Sequence, residues 1–149
     1  LTPIKGEILH CKCSTLELDT KLIHHKKWIL PHPDRSFRIG ATYDESDQDP
    51  SPTGSGKEVL LTAAHDALKK AHKIEIISHQ AGIRPSSSDS RPIMGANPKH
   101  PGLYLLNGLG SKGATSGPSM AKMLTEHIIN GTPLDSEVDL KRFLVPTKK

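Results

Sequence analysis

Aromatic residues are nearly absent: two Phe, two Tyr and one Trp among 149 residues. A surface that grips single-stranded nucleic acid needs aromatic platforms among clustered basic residues. Here 20 Lys plus Arg face 16 Asp plus Glu, and the basic residues are scattered apart from His24-His25-Lys26-Lys27 and the terminal Lys148-Lys149. No nucleic-acid partner is expected. Two cysteines are too few for a disulfide framework or a zinc site, and Cys11 and Cys13 alternate with Lys12 as on a strand, so they read as reduced thiols of a cytoplasmic protein. No apolar run approaches the roughly 20 residues of a membrane span, and no basic-apolar leader opens the chain. A soluble protein without a membrane partner is expected. Hydrophobic residues make up only 34%, beside 12 Gly and 12 Pro, so much of the chain must be loop around one domain or two small lobes. Leu1 stands where a methionine would, which suggests a processed chain or a piece of a longer one.

Several motifs of common chemistry are also missing. Thr53-Gly-Ser-Gly-Lys-Glu58 looks like a phosphate loop, but Ser51 and Glu58 occupy the places of its first glycine and its hydroxyl residue. It reads better as a helix capping box, with Ser55 as N-cap and Glu58 reaching back. Ser119-Met-Ala-Lys122 has the SxxK spacing of penicillin-binding enzymes without the SDN and KTG that must accompany it, and Ser119 falls inside a helical pattern. Nine histidines include no HExxH; His65, His72 and His127 sit in helical patterns, so no metal is expected. Ser111 lacks the GxSxG elbow of an acyl-transfer enzyme.

What is present gives an order of elements. Ile4 to Cys13 reads as a strand; Lys26 to Leu30 and Phe37 to Tyr43 form an antiparallel pair around Pro31-His-Pro-Asp-Arg-Ser36. Asp44 to Gly56 is an acidic, then Pro/Ser/Gly-rich mobile loop. A helix follows with Leu60, Ala64, Ala67, Leu68 and Ala71 on one stripe, then a compact β-branched strand from Ile74 to Ile77. Gln80 to Gly95 is extended and turn-rich. Leu103 to Leu106 reads as a buried strand, bounded by Pro101-Gly102 and Asn107-Gly108. After a glycine turn, Met120, Ala121, Leu124 and Ile128 share one face of a helix that Gly131 and Pro133 end. Gly108, Gly110 and Gly113 let backbone approach an electron-rich group that the helix N-terminus favours. A short acidic-capped helix spans Ser136 to Arg142.

Two late stretches carry a resemblance. His79-Gln-Ala-Gly-Ile-Arg-Pro-Ser-Ser-Ser-Asp-Ser-Arg-Pro-Ile-Met-Gly95 resembles the G-[IL]-R-P…D…P-[IL]-[IM]-G segment of the FAD-dependent oxidases related to D-amino-acid oxidase, glycine oxidase and sarcosine oxidase. Gly102-Leu-Tyr-Leu-Leu-Asn-Gly-Leu-Gly-Ser-Lys-Gly-Ala-Thr-Ser-Gly-Pro118 is similar to that family's last strand and glycine turn, where amides meet the flavin's pyrimidine ring. Pro3-Ile-Lys-Gly-Glu-Ile-Leu9 and Arg38-Ile-Gly-Ala-Thr-Tyr-Asp44 also resemble substrate-domain strands. The similarity runs over nearly the whole chain.

The resemblance implies an α+β fold: an antiparallel substrate-domain sheet with one helix, then the last strand and helices of a FAD-binding lobe. Residues 1–80 would belong to the substrate-binding domain and 81–149 to the C-terminal part of the FAD-binding domain. FAD would lie against Gly82, Ile83, Arg84 and Pro85 and against Gly108, Leu109, Gly110, Ser111, Lys112 and Gly113. Arg84 would fork onto a substrate carboxylate, a task lysine performs poorly, and Tyr43 would face the substrate from its strand. The substrate implied is a small amine or amino acid oxidised to an imine by hydride transfer, which asks for orientation more than a general base. Two departures stand out: His32 replaces the basic turn residue expected there, and Ser86-Ser-Ser-Asp-Ser90 is unusually serine-rich. The family also opens with a βαβ unit carrying GxGxxG, and nothing before residue 102 fits it. Gly108-Leu-Gly110-Ser-Lys-Gly113 has a strand before it and a helix after, but its spacing is read as wrong for the fingerprint. The chain is therefore expected to be the C-terminal portion of a flavoenzyme, partnered by a missing N-terminal nucleotide-binding portion. The alternative is a non-catalytic binding or scaffolding module derived from the same fold.

Overall fold

A computed structural model describes residues 1–13, 21–68 and 73–144. The chain divides into two compact units, Ile4–Ile83 in one and Leu1–Pro3 with the described residues from Arg84 onward in the other. His72, Ala71 and the Lys148-Lys149 pair lie outside the described residues.

The first unit is built on a five-stranded sheet in the order β2-β3-β4-β1-β5, from strands β1 (Thr2–Lys12), β2 (Ile23–His25), β3 (Lys27–Pro31), β4 (Ser36–Gly40) and β5 (Glu75–Ser86). Register follows from alternation: Leu9 opposes Ile39 and Cys11 opposes Phe37 across β1 and β4, while Ile29 and Pro31 oppose the same two residues from β3. These side chains form one face, and helix α1 (Gly54–Ala67) covers it with Leu60, Ala63 and Ala64. Both cysteines are buried on that face and neither forms a disulfide. Burial pushes the Cys11 thiol up to about 11.

Four expectations change here. The strand expected at Ile74–Ile77 runs to Ser86, and Ile76 and Ile77 are exposed rather than core residues. A β-branched run marks extended backbone but not which way it faces. The strand expected to reach Tyr43 stops at Gly40, and Gly54, Ser55 and Gly56, expected in the loop, already belong to α1. Its N-cap is Thr53 rather than Ser55: the Thr53 hydroxyl accepts from the Gly56 amide at 3.0 Å.

The second unit holds a two-stranded antiparallel sheet, β6 (Ile93–Ala96) with β7 (Tyr104–Asn107), then a 3-10 turn over Gly110–Lys112 and helix α2 (Gly113–Asn130). Gly131, at φ 68°, caps α2 by donating to His127 O at 3.1 Å. The β7 strand is less buried than its apolar run suggests, with Leu103 and Tyr104 exposed. On α2 the sheltered stripe is Met120, Met123, Leu124 and His127, whereas Ala121 and Ile128, expected to share it, are exposed. The closing helix is a 3-10 turn, Leu140–Phe143, N-capped by Asp139, whose carboxylate accepts from Lys141 N at 2.8 Å. No helix among the described residues is long and apolar enough to cross a membrane.

Candidate functional site

Within the second unit, the end of β5 and the turn after β7 meet. Ser86 forms an isolated antiparallel bridge with Leu109, directly after Arg84 and Pro85, which stand on the same strand. Gly82 and Ile83 precede them on β5 but fall in the first unit. Tyr43 also lies in the first unit, in the segment after β4, so its expected place on a strand is not what the backbone forms.

The turn itself is a sharp reversal in which Gly108 and Gly110 adopt φ of 70° and 50°. Only glycine takes such angles without strain. The space is also tight: a Cβ on Gly108 would come 3.2 Å from Ile93 Cγ1 and 3.4 Å from Arg91 O, and one on Gly110 3.3 Å from Ser86 Oγ. Gly113 differs from the expectation. Its φ of −55° is ordinary right-handed helix, and a Cβ there would touch Leu109 Cβ at 3.4 Å. Gly108 to Gly113 do spell G-x-G-x-x-G, so spacing is not what separates them from a dinucleotide fingerprint. Topology is: β7 pairs antiparallel with β6 rather than parallel within a βαβ unit.

No side chain caps the start of the 3-10 turn or of α2. The first amides of a helix lack intrahelical acceptors and carry positive polarity, so this uncapped start suits an electron-rich ring edge. The Lys112 amide is an exception, because it donates to Leu109 O at 3.1 Å. What Lys112 adds is its exposed side chain.

Residues outside the expected set hold this region together. Ser86 and Ser87 are buried, the Ser87 hydroxyl donating to Arg91 O at 2.5 Å. Asp89 accepts from Arg142 Nε at 2.8 Å and Nη2 at 3.2 Å, and Arg142 with the neighbouring Ser87 and Arg91 amide holds its carboxyl well below the usual range. In the first unit, β1 continues its core stripe with buried Lys5 and Glu7. Lys5 pairs with Asp47 at 2.6 Å; Glu7 accepts from Thr53 N at 3.0 Å and Thr53 Oγ1 at 2.7 Å. His79 Nε2 stands 2.7 Å from Glu7 Oε2, out of line for a hydrogen bond but close enough to favour the carboxylate. Burial would push the Glu7 carboxyl up; Thr53 and His79 outweigh it and hold it below its ordinary value. A Cβ on Gly56 would overlap the Glu7 carboxyl, which explains the glycine that imitates a phosphate loop. Tyr43, Glu7, Lys27, Thr53, Gly56 and Val59 line a cleft of about 260 Å³ there. The sequence signal for Lys5 and Glu7 is their odd-numbered spacing with Leu9, Cys11 and Cys13; charge hid it.

Among the described residues no group of three or more His, Cys, Asp or Glu is placed to hold a metal ion.

The family model described as FAD dependent oxidoreductase matches residues 1–127. Glycine oxidase of Pseudomonas putida KT2440 is 26% identical over 132 residues, covering 89% of this chain and 36% of the relative. Iminodiacetate oxidase from Chelativorans sp. BNC1 superposes with a TM-score of 0.77 at 28% identity, over 91% of this chain and 39% of that one. Glycine oxidase from Bacillus cereus ATCC 14579 gives 0.72 at 25% identity, over 88% and 36%. The chain thus spans little more than a third of the length of these relatives.

Proposed function

Because the chain belongs to the FAD-dependent oxidoreductase family, we propose that it is the C-terminal portion of an enzyme oxidising an amino acid or secondary amine to an imine by hydride transfer. The flavin, when bound, supplies the two-electron acceptor; this chain supplies binding and orientation. One observation carries the reading: a turn with two left-handed glycines and an uncapped helix start, strapped by the Ser86–Leu109 bridge to the strand bearing Arg84. Amides of Gly110 and Ser111 are pre-oriented donors for the electron-rich edge of the flavin, and Lys112 adds positive charge at the place where reduction accumulates negative charge. Arg84, with its forked guanidinium, holds the substrate carboxylate and so fixes the α-carbon for transfer. The pyrophosphate and adenosine are left to an N-terminal nucleotide-binding portion, since no βαβ fingerprint lies among the described residues. The carboxylate of glycine oxidase substrates is the class Arg84 suits.

The test is Arg84→Lys in the full-length, flavin-loaded protein. Flavin content stays at the parent level, while KM for the best amino acid rises roughly tenfold or more, the scale of a lost charge-assisted contact of about 1.5–3 kcal/mol. Equal KM in both proteins would remove Arg84 from the site.

A further inference from the structure

We propose that Arg142 and Asp89 form a positioning pair that sets the Gly108–Gly110 turn from behind, so that flavin affinity and reduction potential depend on a side chain of the closing 3-10 turn. The inference rests on the reading of that turn as a flavin contact. The Arg142 side chain is only 16% exposed and spends its donors on one short segment. Nε and Nη2 fork onto Asp89 at 2.8 and 3.2 Å; Nη2 also reaches Pro92 O at 3.0 Å and Arg91 O at 3.3 Å; Nη1 ties back to Asp139 O at 3.2 Å. Its guanidinium carbon lies 4.3 Å from the centre of the Phe143 ring, which limits its swing.

The segment it grips is the back wall of the turn. Arg91 O takes the Ser87 hydroxyl at 2.5 Å, Asp89 takes the Arg91 amide at 3.2 Å, and Met94 N donates to Val138 O at 2.8 Å. Arg91 O, Ser87 Cβ and Ile93 Cγ1 all stand within 3.4 Å of where a Cβ on Gly108 would be, and Ser86 Oγ stands 3.3 Å from that point on Gly110. The wall therefore lies close behind the turn, and it is tied to it directly, because Ile93 pairs with Asn107, the residue before Gly108. A shift of the Arg91–Ile93 segment is passed through that pairing to Gly108 and the amides that follow. Lysine keeps the charge of Arg142 but cannot reproduce a fork that meets one carboxylate and two carbonyls together.

The experiment compares Arg142→Lys, Arg142→Ala and Asp89→Asn in the full-length flavoprotein, measuring FAD dissociation and the midpoint potential of the bound flavin. Each variant is expected to bind FAD roughly tenfold or more weakly and to hold it at a lower potential. The double variant Asp89→Asn/Arg142→Ala should be no worse than the poorer single one, because the two act as a unit. Ethylguanidinium added to Arg142→Ala should restore part of the potential, which recovered folding alone would not do. Should Arg142→Ala fail to fold, Arg142→Lys and Asp89→Asn carry the same readouts. Parent-like affinity and potential in these variants, with flavin lost in Gly110→Val, would overturn the pair and leave the flavin turn standing. Normal flavin binding in Gly110→Val would overturn both.

Discussion

Single residues in the turn differ in what they tolerate, and the backbone angles say why. Gly110 has φ of 50° and a neighbour 3.3 Å from the missing Cβ, whereas Gly113 has φ of −55° and faces an ordinary contact. A β-branched side chain at Gly110 combines a strained left-handed dihedral with a tight contact; alanine at Gly113 meets neither and replaces a residue poorly suited to a helix. Gly110→Val in the full-length protein should lose FAD, while Gly113→Ala should keep it and gain up to about 1 kcal/mol of stability. Flavin absorbance per protein and thermal melts read both. Sequence pattern treated these glycines alike, since spacing records where a glycine is but not its φ. Lys5 and Glu7 were illegible for a related reason: a charged residue reads as exposed until its partner is known, and Asp47 and Thr53 lie more than forty residues away.

Elements were easier to read than their faces and ends. The strand pair around Pro31–Ser36 and the two long helices follow from alternation, helical period and terminal Gly or Pro, all local signals. What local signals left open was decided by distant contacts. Helix α1 is capped at Thr53 because the Glu7 carboxylate receives both the Thr53 amide and hydroxyl while that hydroxyl accepts from the Gly56 amide. Ser55 satisfies the sequence rule for a capping box but does not sit at the cap. Thr53→Ala should therefore cost about 1 kcal/mol or more, with the buried Glu7 left short of a donor, and Ser55→Ala should cost far less. Urea unfolding of the two variants decides between the caps. The exposed Ile76 and Ile77 on β5, and the unsheltered Ile128 on α2, show the same limit: period marks a stripe, while burial depends on what lies opposite.

At the scale of the molecule, the family was legible because two motifs in order, one ending in Ile93-Met-Gly95 and one running into α2, carry more information than either alone. The link between them was not. Asp89 and Arg142 lie 53 residues apart, and only the folded chain shows that one guanidinium holds the wall of the glycine turn. As proposed, the chain is a set of orienting groups around a flavin: amides at the turn, Arg84 for a carboxylate, and a clamp behind. Anaerobic mixing of the full-length flavin-loaded protein with small amino acids and N-substituted glycines tests this most directly, with the oxidised flavin band followed by absorbance and the imine hydrolysis product by chemical analysis. Bleaching by at least one such amine, with matching product and much faster than by the same amine without its carboxylate, is the expected result. A flavin that stays oxidised with every one of them would contradict it.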